Sequence, residues 1–197
     1  MTTRTPFEHA NASKVTDRLW IGGDLSTYDQ ELAGAELAEL VEHGLTHILD
    51  VREEWSDEEH VAREQPQLSY LWRGIPDLGQ EVAGDWFDAV VDFALEAFED
   101  PDAVVLSHCH AGINRGPSAG FAILLALGRD PIEALELIKS ERPIVMVAYA
   151  EDALRWAHAR LDLPGHLDAD LARLADWRRA AETGLYEAPR LTREPER

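Results

Sequence analysis

Short apolar runs alternate along this chain with longer segments whose apolar residues recur at helical spacing. Ala103-Val104-Val105-Leu106-Ser107-His108 is the clearest strand, and Thr46-His47-Ile48-Leu49-Asp50-Val51 reads as a second, buried one. Arg18-Leu19-Trp20-Ile21-Gly22-Gly23 predicts a short strand closing on a glycine turn, and Ser69-Tyr70-Leu71-Trp72 a further strand leading into the shaped loop Gly74-Ile75-Pro76-Asp77-Leu78-Gly79. Between the strands, Leu32, Leu37, Leu40 and Val41 predict a helix from Asp29 that stops at Gly44. Phe87, Val90, Val91, Ala94, Leu95 and Phe98 predict another, capped by Asp85 and broken at Pro101-Asp102. The acidic stretch from Glu53 to Glu64 is expected to be a solvated loop or short helix.

After the last strand come three more helices. Gly116 to Gly128 is strongly apolar, with Pro117 tolerated in its first turn and Gly128 just past its end. Asp130-Pro131 opens the next, which ends at Arg142-Pro143, and Tyr149 to Leu161 forms the third. Strands alternating with helices predict an α/β fold with a central, mostly parallel sheet flanked by helices on both faces. Leu163-Pro164-Gly165 reads as a hinge, and Leu167 to Ala181 as a charged amphipathic helix before a loose tail. The expected organisation is therefore one domain over residues 1–162 with a C-terminal helical extension and tail over 163–197.

Composition narrows the setting. A chain of 197 residues suits one domain with a sizeable core. Its single cysteine excludes an intrachain disulfide framework and fits a reducing compartment. The first residues lack the apolar stretch of a signal peptide, and no segment has the length of an apolar membrane span, so a cytoplasmic location and no membrane contact are expected. A formal net charge of −20 repels nucleic acid and anionic lipid, so neither is expected as a partner. Oligomeric state is not legible.

The candidate chemistry lies in His108-Cys109-His110-Ala111-Gly112-Ile113-Asn114-Arg115. A strand, a tight loop and a buried helix form a natural anion cradle. Amides from His110, Ala111, Gly112, Ile113, Asn114 and Arg115 can turn inward, and the helix start adds positive potential. The same field favours a thiolate at Cys109. Arg115 can grip two phosphate oxygens with its planar fork and helps most where charge spreads in the transition state. Gly112 stands where a side chain would obstruct the loop. His108 supports the loop beside the sulfur. The leaving oxygen needs a proton, and Asp77, on a shaped loop after a strand, is the expected donor; Glu81 and Asp85 are alternatives. The eight histidines form no tight cluster with a matching carboxylate pattern, so no metal and no cofactor are expected.

These residues resemble the signature of the cysteine-dependent protein phosphatases, in particular the compact dual-specificity (protein-tyrosine) branch. The similarity runs over about residues 15–160 and includes Thr16–Gly23, Gly44–Arg52 and Arg142-Pro143, with Asp77 standing 32 residues before the cysteine. The resemblance implies Cys109 as nucleophile, Arg115 as phosphate clamp and Asp77 as acid and then base. It also implies a phosphorylated protein as substrate, carrying phosphotyrosine first and phosphoserine or phosphothreonine second. Gly116 departs from it, because the family commonly has a hydroxyl residue there to help the thiolate leave; slow breakdown of the cysteinyl-phosphate is the expected consequence. Three other readings stay open: an RNA 5′-triphosphatase or other non-protein phosphatase of the same superfamily, a non-catalytic phosphopeptide-binding module, and a rhodanese-like sulfur transferase.

Overall fold

In the computed structural model, which describes residues 7–161 and 163–185, five strands and seven helices alternate. The strands are β1 (Ala12–Lys14), β2 (Leu19–Gly22), β3 (His47–Arg52), β4 (Ser69–Ile75) and β5 (Val105–His108). They form one sheet in the order β1-β2-β5-β3-β4. Only the β1–β2 pair is antiparallel; the other three pairings are parallel, as expected from the alternating pattern. β1 is the strand the sequence pattern does not announce, since Ala-Ser-Lys is too short to show a period.

The helices are α1 (Gln30–Glu42), α2 (Glu58–Glu64), α3 (Gly84–Ala97), α4 (Arg115–Ala126), α5 (Pro131–Glu141), α6 (Ala150–Arg160) and α7 (Leu167–Leu185). Asp29 caps α1 by accepting from the Glu31 and Leu32 amides, and Gly44, at φ +104°, ends the turn that follows. Asp130 caps α5 in the same way. One predicted cap is corrected: α3 starts two residues earlier than expected, with Ala83 at the cap position and Asp85 inside the first turn. There Asp85 favours the positive end of the helix without capping it, and its carboxylate sits 3.4 Å from Arg73.

Two-residue alternation sends neighbouring side chains to opposite faces. Leu19 and Ile21 of β2, Leu49 and Val51 of β3, and Val105 of β5 join Phe87, Phe121, Ile123 and Leu124 in the larger core. Trp20, Ile48 and Leu106 point the other way, to Leu37 and Leu40 of α1 and Val61 of α2. The alternation carries past the end of β5. Cys109 belongs to the larger core, and His108 lines the opposite face with Tyr70 and Leu106.

Helix α4 lies at the centre of the larger core, with eleven of its residues buried. Gly120 lets β2 approach closely there, since a Cβ would lie 2.7 Å from the end of the Ile21 side chain. α7 packs on α5 and α6 through buried Leu174 and through ion pairs from Asp170 to His158 at 2.9 Å and from Arg173 to Asp130 at 2.7 Å. No helix among the described residues is long and apolar enough to cross a membrane. The expected tail, from residue 186 on, lies outside the described residues.

Candidate active site

In the loop between β5 and α4, the carbonyls from His110 to Asn114 are each held by a donor outside the loop's inner side. The His110 carbonyl accepts from the Asp24 amide at 3.1 Å and the Ile113 carbonyl from the Met146 amide at 2.9 Å. Arg142 supplies two more bonds, from Nε to the Gly112 carbonyl at 2.6 Å and from Nη2 to the Ala111 carbonyl at 3.0 Å. The Asn114 carbonyl accepts the Ser118 amide at 2.8 Å, in the first turn of α4. Among the described residues, no amide from His110 to Asn114 donates to a protein acceptor. With the carbonyls committed outside, these N–H groups are left for an anion on the inner side.

Gly112 makes this curvature possible. Its φ is +65°, and a Cβ there would lie 2.5 Å from the Gly22 backbone and from Arg142 Nη2. Arg142 is 3% exposed and also donates to Asn11 Oδ1 at 2.8 Å. Burial lowers its pKa, against the opposing pull of Cys109. The sequence marks Arg142 only as the end of a helix; that it braces the loop from behind was not legible.

Cys109 is 2% exposed and Arg115 3%. Burial opposes the charge of Arg115, but the Glu54 carboxylate and then Cys109 and Asp77 raise its pKa overall. Glu54 grips the end of the guanidinium, accepting from Nη1 at 2.7 Å and Nη2 at 2.8 Å, while Nη1 also donates to the Ile75 carbonyl at 3.0 Å. Nε has no hydrogen-bond partner, and the Asp77 carboxylate stands 3.4 Å from it. The Nε–Nη2 edge, faced by Asp77, thus has no hydrogen bond at Nε, while the Nη1–Nη2 edge is taken by Glu54. Hydrogen bonding from Arg115 holds the Glu54 carboxyl well below the ordinary range, to about 2. Glu54 was missed at the sequence level because it sits in an acidic stretch whose members look alike.

Asp77 stands against the loop at Asn114 and Arg115. Its Oδ1 accepts from Asn114 Nδ2 at 2.6 Å and lies 3.3 Å from the Tyr149 hydroxyl. Tyr149 also accepts from the Gly79 amide at 3.3 Å, so it ties α6 to the loop carrying Asp77. The two alternatives are elsewhere: Glu81 is exposed and Asp85 is turned to Arg73.

Behind the loop, on the α1 face, lies a buried charged network. Arg52 makes a bidentate contact with Asp50 at 2.9 and 2.7 Å and reaches Asp57 at 2.6 Å. Tyr70 donates to Asp50 at 2.6 Å. Burial pushes the Asp50 carboxyl up, but Arg52, His108 and Tyr70 hold it below its usual value; burial and then the Asp50 charge push Tyr70 up. His108 Nε2 is 3.8 Å from Asp50, beyond a hydrogen bond, and its Nδ1 has no partner, so the hydrogen bond expected from it to the loop is not made. Burial lowers its pKa, which favours the neutral ring. Asp50, Asp57 and His108 bring ligand atoms within 4.8 Å of one another, but the Arg52 guanidinium already bridges both carboxylates. At the rim, Asp24 accepts from His110 at 2.8 Å, and Trp55 meets the His110 ring edge-on at 5.3 Å.

A buried sulfur at the base of unpaired amides, flanked by an open guanidinium edge and a carboxylic acid, can attack an esterified phosphorus and protonate what leaves. No family's sequence profile and no curated protein matches the chain. Solved structures do. The human tyrosine phosphatase-like serine/threonine/tyrosine-interacting protein aligns with a TM-score of 0.60 at 19% identity, covering 76% of this chain and 97% of that one. Tk-PTP in its active form aligns at 0.60 and 20%, covering 77% and 98%. PTPMT1 in complex with PI(5)P aligns at 0.61 and 16%, covering 83% and 99%. This chain has the fold of the compact cysteine-dependent phosphatases.

Proposed function

We propose that this protein hydrolyses phosphate monoesters on proteins, phosphotyrosine first and phosphoserine or phosphothreonine second, through a cysteinyl-phosphate intermediate. One observation carries the reading: consecutive loop carbonyls are bonded outward, which leaves the amides of His110 to Asn114 for a phosphoryl group above Cys109. Three phosphoryl oxygens meet these amides and the Nε–Nη2 edge of Arg115. The Cys109 thiolate donates its electron pair to phosphorus as the ester P–O bond breaks. The departing oxygen takes a proton from Asp77. In the second half, water attacks phosphorus, Asp77 accepts its proton, and the S–P bond breaks to return the thiolate and release inorganic phosphate.

The surroundings favour a protein monoester over a polyanion. Apart from Arg115, the charged side chains nearest the loop mouth are Glu54, Asp77 and the Asp24–His110 pair, and the loop has no lysine. Exposed Leu78 and Met146 stand beside Asp77 and Ile113. A triphosphate or a multiply phosphorylated headgroup would meet carboxylates where it needs cations.

The experiment is a panel of phosphotyrosyl, phosphoseryl and phosphothreonyl peptides, a phosphoinositide and 5′-triphosphate RNA, each with wild type, Cys109→Ser and Asp77→Asn. Phosphotyrosyl peptide is expected to give the highest kcat/KM, with Cys109→Ser inert. Full activity in Cys109→Ser would refute the nucleophile. Faster release from RNA or lipid would refute the substrate class. Tight binding of phosphopeptide without turnover would indicate a binding module.

A further inference from the structure

The Asn114 side chain joins three parts of the molecule. Its carbonyl oxygen accepts the Ala148 amide at 2.6 Å, and its amide nitrogen donates to Asp77 Oδ1 at 2.6 Å. A main-chain N–H can only donate, so the orientation of the Asn114 amide is fixed by Ala148. Asp77 therefore meets a donor at Oδ1. Oδ1 is thus the anchored oxygen, with Asn114 and the Tyr149 hydroxyl against it, and Oδ2 is the oxygen left to carry the hydrogen toward substrate. Oδ2 is the oxygen beside Arg115 Nε, on the open edge of the guanidinium. Ala148 is held in turn from outside: its carbonyl accepts Arg178 Nη2 of α7 at 2.9 Å. Val147, immediately before it, has φ +48°, a conformation costly for a β-branched residue, so this segment needs outside support.

We infer that Asn114 is a positioning residue which assigns the acid's proton to Oδ2, and that Arg178 of the C-terminal helix steadies it through Ala148. The inference rests on Asp77 being the general acid. When phosphate is seated, Arg115 Nε, which has no hydrogen-bond partner in the protein, donates to a phosphoryl oxygen. The Oδ2 hydrogen then faces the ester oxygen, which receives it together with the bonding electrons of the breaking P–O bond, leaving Asp77 a carboxylate. Without Asn114, the proton can sit on either oxygen and the side chain can turn away.

Acid placement matters only where the leaving oxygen needs a proton. The test compares kcat/KM on phenyl phosphate, a poor leaving group, and on 2,4-dinitrophenyl phosphate, which departs as a stable anion. Asp77→Asn should widen the ratio of good to poor substrate by on the order of 100-fold, within the usual range for a lost general acid. Asn114→Ala should widen it by about tenfold or more, with a weakened basic limb of the pH–rate profile on phenyl phosphate. Arg178→Ala should widen it by about threefold, and Arg178→Lys, which still donates to the Ala148 carbonyl, should restore it. Equal losses on both substrates in Asn114→Ala, with Asp77→Asn still selective, would overturn the positioning role and leave the acid intact. An unchanged ratio in Arg178→Ala, a variant outside the loop, would overturn the role of α7. An unchanged ratio in Asp77→Asn would refute the acid itself and the inference with it.

Discussion

Replacing Glu54 by glutamine separates two roles that its carboxylate could have beside Arg115. A carboxylate in the phosphate seat would compete with substrate, whereas one behind the seat would aim the guanidinium. The bonds favour aiming: Glu54 occupies Nη1 and Nη2 end-on, and the partnerless Nε is on another edge. Glutamine keeps one acceptor but turns an NH2 toward the other guanidinium nitrogen, so the two-bond contact cannot form. A hydrogen bond to a charged group contributes roughly 1.5–3 kcal/mol. Because the Glu54 side chain is 42% exposed, water makes up part of the loss, and the low end, about 1.5 kcal/mol, is the better figure. That corresponds to about a tenfold fall in kcat/KM, by a similar factor on good and poor leaving groups, since the grip on phosphate is needed for both. Steady-state hydrolysis of the two aryl phosphates measures it. A rise in kcat/KM would mean that Glu54 blocks the site, and an unchanged value would mean that Arg115 needs no such support. Stability gives a second readout. The Glu54 carboxyl is depressed in the folded state from an ordinary 4.5 to about 2, so its contribution is present above 4.5 and is lost as pH falls through about 2. The difference in Tm between wild type and Glu54→Gln should shrink across that window.

Two further substitutions probe the loop itself. Gly112→Ala places a Cβ 2.5 Å from the Gly22 backbone at a φ of +65°, and should cost about 2–4 kcal/mol in thermal unfolding together with most of the phosphatase activity; wild-type Tm and turnover would contradict the described loop path. Gly116 stands where a hydroxyl would assist thiolate departure, and the next hydroxyl in sequence, Ser118 Oγ, is buried without a partner. Rapid-mixing experiments should therefore show a burst of leaving group followed by slow turnover, and Gly116→Ser, by supplying a hydroxyl at that position, should shrink the burst. Its Cβ would press at 3.1 Å on the backbone of Ser107 and His108, so a lower Tm is expected as well.

What the sequence made legible follows from how far apart the interacting residues lie. The α/β order, the parallel sheet, the caps at Asp29 and Asp130 and the cysteine loop are all set by neighbours within a few positions, where period and residue type speak directly. Asp77 was reachable because it follows a strand and a proline on a loop of its own. Asp50 and Arg52 left a usable signal: two charged residues, two apart, on one face of a strand otherwise buried. Spacing of two puts both on the same side, and a burial that neither ion tolerates alone implies that they pair. Arg142 left none. Its guanidinium crosses to carbonyls thirty and thirty-one positions earlier, and nothing in a helix-ending Arg-Pro predicts which loop it will meet. Glu54 is similarly anonymous among Glu53, Asp57, Glu58 and Glu59, because its selection by Arg115 is an outcome of sheet geometry.

The arrangement also explains how a chain of net charge −20 can hold a dianion. Its surface field opposes phosphate, so the attraction must be short-ranged and directional. Unpaired amides and one open guanidinium edge meet this need, because their partial charges act over a bond length and are shielded by a buried floor. The acidic residues around the site do not undo this. Glu54 and Asp24 are each engaged by a cationic or polar partner in place, Arg115 and His110, which turns repulsion into orientation. The balance leaves little excess positive charge at the mouth. Affinity for a single phosphoryl group should survive added salt, since amide hydrogen bonds do not screen, whereas recruitment of a second phosphate has nothing nearby to drive it.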